Sequence, residues 1–221
     1  MSVKHYAIHL DVRGRCCLVV GGGGVGRRKA ETLLDCGARV TVVSPGMAEG
    51  LQKIAGHPNL TLSRREYRTS DLEGVFLVIG ASDDVTLNRR IHREAEQRRI
   101  LCNIADQPEF CSFILPAVVR RGDLTLTIST AGKSPAVAKK LRRQLETQFG
   151  EEYAVLLKLM GSIRKRLLAE SHAPEAHKHL FEALLDGGLL DMIRENRIEA
   201  IDRLLLHVLG DDYSYAKLMP G

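Results

Sequence analysis

Six residues, Gly21-Gly-Gly-Gly-Val-Gly26, constrain this chain more than any others. They directly follow Arg15-Cys-Cys-Leu-Val-Val20, a short and almost wholly apolar run. Such a run is expected of a parallel strand buried on both faces. The glycines at 21, 23 and 26 fit G-x-G-x-x-G. Past them, Ala30, Leu33 and Leu34 fall on one helical face, Gly37 can end that helix, and Arg39 to Val43 reads as a second strand. Glycine runs also occur in plain turns. A strand, a glycine turn, a helix and a strand within about 30 residues form a far more specific pattern, that of a Rossmann-like dinucleotide-binding unit.

Each glycine then has a physical task. Gly21 permits the tight turn, Gly23 lets the backbone approach a pyrophosphate, and Gly26 lets helix and strand pack closely. Gly24 and Val25 open the helix, whose free N–H groups can meet the phosphates. Arg27, Arg28 and Lys29 oppose the helix dipole, a cost that a bound pyrophosphate would offset. The second strand ends Val42-Val43-Ser44-Pro45. An acid there would bind the ribose 2′-OH of NAD, and an Arg would favour a 2′-phosphate. Ser44 is neither, so this position leaves NAD and NADP open.

The alternation continues. Leu60 to Leu62 is a short strand, Val75 to Ile79 a buried one, Val85 to about Arg98 a polar helix, and Ile100 to Ile104 the next strand. Ligands in doubly wound sheets bind beyond the carboxyl ends of the strands. Ala81, Ser82, Asp83 and Asp84 fall on that edge, as do Asn103 and Asp106. Asp83 and Asp84 also suit turn or cap roles. The expected cofactor contacts are Gly21, Gly23, Gly24, Val25, Gly26, Ser44, Ala81, Ser82 and Asp83.

The α/β rhythm then breaks. Phe113 to Val119 reads as a strand that Pro116 confines to an edge or bulge. Arg120 to Asp123 reads as a turn. Leu124 to Ser129 alternates, with Leu124, Leu126 and Ile128 on one face. Ser134 is placed to cap a following helix, with Pro135 at its first position. Gly132-Lys133-Ser134 is not a P-loop, because Thr127 stands where its first glycine belongs. The final third is helical: Tyr153, Leu156, Leu157, Met160, Ile163 and Leu167 recur at helical spacing. Pro174 opens another helix carrying Leu180, Phe181, Leu184 and Leu185. Asn196 with Glu199 resembles a capping box before Ile198 to Leu209. His172, His177 and His179 lack metal-ligand spacing and read as exposed helix histidines, so no metal site is expected.

Charge sharpens the picture. The 221 residues carry a net +5, and residues 114 to 149 alone carry a surplus of five: seven Lys or Arg against Asp123 and Glu146. A local cation cluster concentrates an anionic partner. Apolar residues are 44% and charged residues 27%, which excludes a disordered, collagenous or disulfide-miniprotein class. No apolar run is long enough for a membrane span, and Met1 to Val12 has no apolar signal core. The odd set of five cysteines has no C-x-x-C spacing and suits buried thiols in a reducing cytoplasm.

Several stretches together resemble one family. They are Gly21 to Lys29, Ala81-Ser-Asp-Asp84 with Asn88, Cys102-Asn-Ile-Ala-Asp-Gln-Pro108, Ser112 to Ala117, and Ile128 to Ala136. The chain resembles the precorrin-2 dehydrogenase / sirohydrochlorin ferrochelatase, or siroheme-synthase, family over about residues 5 to 150. It looks like the stand-alone form without the methyltransferase domain. Gly26 stands where members often have Ala, and Thr130 where some have Ser.

The resemblance implies an α/β protein in three parts: an NAD-binding Rossmann domain (1–112), a β-hairpin-helix dimerisation segment (113–149) and a small helical domain (150–221). It implies NAD as cofactor, a homodimer, and oxidation of precorrin-2 to sirohydrochlorin. In members this is often followed by insertion of Fe²⁺ (or Co²⁺), a substrate metal rather than a resident one. It places the functional carboxylate on Asp106. Asn103, Ser129, Thr130, Gly132, Lys133 and Ser134 are expected on the tetrapyrrole side. Such a substrate carries many carboxylates, which suits the basic 114–149 segment. Two other readings differ in class. An NAD-sensing regulatory module needs no base in the crevice. A nucleic-acid binder using Lys139 to Arg143 is disfavoured by few aromatics and no recognised motif.

Overall fold

The computed structural model describes residues 5–169 and 177–220. The chain forms two compact units, Met1–Leu115 and Pro116–Gly221. The first holds a five-stranded parallel sheet in the order β3-β2-β1-β4-β5. Its strands are β1 (Cys16–Val20), β2 (Arg39–Val43), β3 (Leu60–Ser63), β4 (Leu77–Gly80) and β5 (Leu101–Ile104). Helices α1 (Gly24–Asp35), α2 (Glu49–Lys53) and α3 (Val85–Gln97) complete the crossovers.

The period-2 alternation of β1 distributes its side chains to both faces. Cys17 and Val19 join Ala30, Leu33 and Leu34 of α1 in one buried cluster. Leu18 and Val20 join Ile91 and Ala95 of α3 in another. Burying both faces explains why this strand is apolar throughout. Gly37, at φ +79°, ends α1 as expected, with its N–H on the Leu34 carbonyl and that of Ala38 on Leu33. Asp84 caps α3, its Oδ1 accepting from the N–H groups of Thr86 (2.8 Å) and Leu87 (3.2 Å). The strand order reverses between β1 and β4, which opens a crevice at the carboxyl edge.

The second unit begins with the antiparallel pair β6 (Ala117–Arg121) and β7 (Leu124–Ile128). The sequence expectation is corrected here. The strand starts after Pro116, not at Phe113, because Pro116 has no N–H to give to a ladder. Arg120 and Arg121 belong to the strand, and Arg121 pairs with Leu124 across a two-residue turn at Gly122-Asp123. Helix α4 (Pro135–Gln148) follows, with Ser134 Oγ accepting from the Val137 N–H at 3.2 Å. It buries none of its residues.

The remaining helices are α5 (Glu152–Ala169), α6 (Lys178–Asp186), α7 (Leu189–Arg194), α8 (Ile198–Leu209) and α9 (Tyr215–Leu218). They enclose Leu159, Ile163, Leu184, Leu189, Ile201 and Leu205. Two further expectations are corrected. Asn196 does not cap α8; at φ +52° it ends α7, with its N–H on Ile193 and that of Arg197 on Met192. His177 is not exposed but buried at the start of α6, while His179 is exposed. His172 and Pro174 lie outside the described residues. Among the described residues no group of His, Cys, Asp or Glu is arranged to hold a metal ion. No described helix is long and apolar enough to cross a membrane.

Candidate active site

The glycine turn divides into two kinds of glycine. At Gly21, with φ +121°, a Cβ would overlap the Ala81 carbonyl oxygen. At Gly26 it would overlap the Gly21 carbonyl oxygen, so α1 sits against the turn. These two are required by the chain's own packing, and they bring Ala81 beside the turn. Gly23 is different. It is exposed, its φ is −77°, and a Cβ there would meet nothing within 4 Å. At Gly24 a Cβ would approach only the Arg28 guanidinium, at 3.9 Å. The protein itself gives no steric reason for glycine at either position. A group approaching from outside would give one.

The helix end points the same way. Gly23 offers α1 no side-chain cap, and the first turn has no acid. The first bond is the Arg27 N–H to the Gly23 carbonyl, which leaves the N–H groups of Gly24, Val25 and Gly26 without intrahelical partners. An open glycine backbone with uncapped N–H groups fits the pyrophosphate of a dinucleotide. Arg27 bonds Glu31 at 3.2 Å, so this cation is held along the helix.

Beside the turn lies a cavity of about 420 Å³. Gly21, Ser44 and Ser82, three of the expected cofactor contacts, line it together. Glu66, Tyr67 and Arg90 also line it, and sequence reasoning missed all three. Tyr67 donates to Glu94 Oε2 at 2.7 Å, Arg90 Nε donates to Glu94 Oε1 at 2.8 Å, and the guanidinium lies 5.3 Å over the Tyr67 ring. Burial opposes the charge on Glu94, but these bonds and one from Thr69 hold its pKa below the usual carboxylate range. These bonds tie Tyr67 and Arg90 together through Glu94. Asp83 is exposed, and Val25 is half-buried in α1.

Asp106 follows β5 on the same carboxyl edge. It is exposed, and its φ of +59° is left-handed, a region that Asp enters more readily than most residues. The loop around it is closed from below. Asn103 is buried and donates to the Phe113 carbonyl at 3.0 Å. Cys111 Sγ accepts from the Ile104 N–H at 3.2 Å. Lys29 of α1 senses the same loop. Burial lowers its pKa, Arg28 lowers it further, and the Asp106 carboxylate acts in the opposite direction. Sequence reasoning took Lys29 only as one of three cations near the start of the helix and did not see this neighbour.

Ser129, Thr130, Gly132, Lys133 and Ser134 fall in the second unit, at the turn that leads into α4. Thr130 Oγ1 donates to the Ser134 carbonyl (3.2 Å) and accepts from its N–H (3.3 Å), and Ser129 Oγ accepts from the Ala131 N–H (3.1 Å). Ser129, Gly132 and Lys133 are exposed. In the same unit Arg121 is tied to the carbonyls of Phe149 and Glu146, and Arg142 to Glu146, whereas Lys133, Lys139, Lys140 and Arg143 are exposed.

The sheet, the turn and the crevice define a doubly wound nicotinamide-dinucleotide-binding domain. A family model for NAD(P)-binding domains matches residues 8–117, and one described as "Sirohaem biosynthesis protein central" matches residues 121–148. Siroheme synthase of Methylococcus capsulatus is 34% identical over 92% of this chain and 43% of its own length. That of Ectopseudomonas mendocina is 38% identical over 88% of this chain and 42% of its own. A solved structure named "SirC, precorrin-2 dehydrogenase" superposes with TM-score 0.76 at 26% identity, covering 92% of this chain and 98% of that one. The chain belongs to the siroheme-synthase family. It spans less than half the length of these curated relatives.

Proposed function

We propose that this chain oxidises precorrin-2 to sirohydrochlorin with NAD⁺. The carrying observation is a carboxylate, Asp106, held at left-handed φ on the edge where the glycine turn opens. The oxidation removes a hydride and a proton from the tetrapyrrole. Bound NAD⁺ supplies the hydride acceptor. Gly23 and Gly24 and the amides of α1 hold the pyrophosphate, and Ser44 and Ser82 border the adenosine end. Asp106 takes the proton as general base, and Asn103 fixes its loop. Ser129, Thr130, Gly132, Lys133 and Ser134 bind the carboxylate-rich substrate, drawn by the exposed cations of α4.

The same reading makes the protein a cytoplasmic homodimer. Its middle segment, residues 113–149, is the dimerisation segment between an NAD-binding domain at 1–112 and a helical domain at 150–221. Val137 (48% exposed) and Leu141 (40% exposed) give α4 an apolar stripe for that contact. The five cysteines stay reduced in the cytoplasm.

The test is anaerobic incubation of the protein with precorrin-2 and NAD⁺, following NADH. Fe²⁺, a substrate metal, is added only after oxidation ends, so that any chelation is read separately. An NAD-sensing module without catalysis would bind NADH and form none.

A further inference from the structure

Ser44 leaves open how the cofactor's ribose is chosen, and the fold answers from the neighbouring strand. β2 and β3 run parallel with Val43 opposite Ser63, and the Ser44 N–H donates to the Ser63 carbonyl at 3.2 Å. The chain leaving β3 therefore passes beside the end of β2. Three residues past Ser63 it brings Glu66 into the cavity that Ser44 lines.

Three charged residues line that cavity: Glu66, Asp84 and Arg90. Asp84 is occupied by capping α3. Arg90 is occupied by Glu94 and by Thr69, whose Oγ1 accepts from it at 2.8 Å. Nearby Arg65 is held in a two-point pair with Asp71, and what it gives Glu66 is a bond to the backbone carbonyl. The Glu66 carboxylate has no hydrogen-bond or ion-pair partner among the described residues.

We infer that Glu66 selects an unphosphorylated ribose, and so NAD over NADP. An ionised carboxylate accepts hydrogen bonds from vicinal ribose hydroxyls. It repels a 2′-phosphate through like charge. The acid that a dinucleotide fold usually carries at the end of its second strand is here supplied from the loop after its third. This inference rests on reading the crevice as a dinucleotide site, and the test separates the two.

The full chain is titrated with NADH and with NADPH, following cofactor fluorescence, with no tetrapyrrole present. The wild type is expected to bind NADH at least roughly tenfold more tightly. Glu66→Gln should bring the two affinities within about threefold, and Glu66→Lys should favour NADPH. Glu66 is exposed and its side chain bonds none of the described residues, so melting temperatures should match the wild type. A wild type that prefers NADPH, or a Glu66→Gln protein with an unchanged ratio, overturns the inference. Binding of neither cofactor overturns the crevice reading itself, and the inference falls with it.

Discussion

The Cys111 thiol lies 3.2 Å from the backbone N–H of Ile104 and accepts its hydrogen bond. The same sulfur is 3.3 Å from the carbonyls of Ile104 and Gln107, to either of which the thiol proton can be given. Burial pushes the thiol pKa up, which keeps that proton in place at neutral pH. One side chain thus ties both ends of the turn that presents Asp106 in its left-handed conformation.

Replacing it should loosen the turn without touching the cofactor. Cys111→Ala is expected to cost about 1 kcal/mol of stability through the lost bonds. It should lower kcat by about tenfold while leaving the NADH dissociation constant unchanged. Denaturant melts, steady-state kinetics and cofactor titration together check this. An unchanged kcat would remove Cys111 from the positioning of Asp106.

The two kinds of glycine predict opposite phenotypes. Gly21→Ala places a Cβ on the Ala81 carbonyl at a φ of +121°, so the fold should lose about 2 kcal/mol or more. Gly23→Ala has open space on the protein side, and its melting temperature should stay near the wild type. Its NADH affinity should fall at least about tenfold, because the added methyl stands where the pyrophosphate approaches. A Gly23→Ala protein that binds NADH normally would contradict this use of the turn.

Acid should weaken the wall of the crevice. Asp71 is half-buried and accepts both Arg65 Nη atoms, at 2.8 and 2.6 Å, along with the Arg68 N–H. The Arg65 bonds hold its carboxyl below the ordinary value of 3.8. The stabilisation is therefore complete above that value and is lost as pH falls through the lower folded-state pKa. Near neutral pH, Asp71→Asn should be less stable by about 1–3 kcal/mol. That gap should narrow as the pH drops below about 3.8. A gap independent of pH in urea melts would contradict it.

Helix α4 predicts the oligomeric state. None of its residues is fully buried, and it exposes Val137 and Leu141. Sedimentation should show a dimer at micromolar protein, and Leu141→Glu should raise the dimer dissociation constant at least about thirtyfold. A monomeric wild type would refute the contact.

What the sequence carried, it carried through short-range pattern. The apolar run of β1, the glycine turn and the 3.6-residue spacing of Ala30, Leu33 and Leu34 are local, and all reappear in the fold. The errors came where two local signals compete. Pro116 can open a strand or bulge one, and here it comes just before the strand's start. Asn196 is as good at ending a helix in the left-handed region as at beginning one, and the end of α7 claimed it. Positions at the ends of single strands were legible: Ser44 and Ser82 do line the cavity, and Asp106 does follow β5. The site was not legible across strands. Glu66 shares a cavity with Ser44 only through the β2–β3 register, Lys29 senses Asp106 only through the packing of α1, and no motif marks Cys111.

In the proposed reaction Asp106 takes the proton, and the crevice on the same carboxyl edge of the sheet binds the nicotinamide dinucleotide. The direct measurement is anaerobic NADH formation from precorrin-2 and NAD⁺, run in parallel on the wild type and Asp106→Asn, with NADH titrations of both. The wild type should form NADH as sirohydrochlorin appears. Asp106→Asn should bind NADH equally well and turn over at least roughly a hundredfold more slowly. Full turnover by Asp106→Asn, or no NADH from a wild type that binds cofactor, would contradict the account.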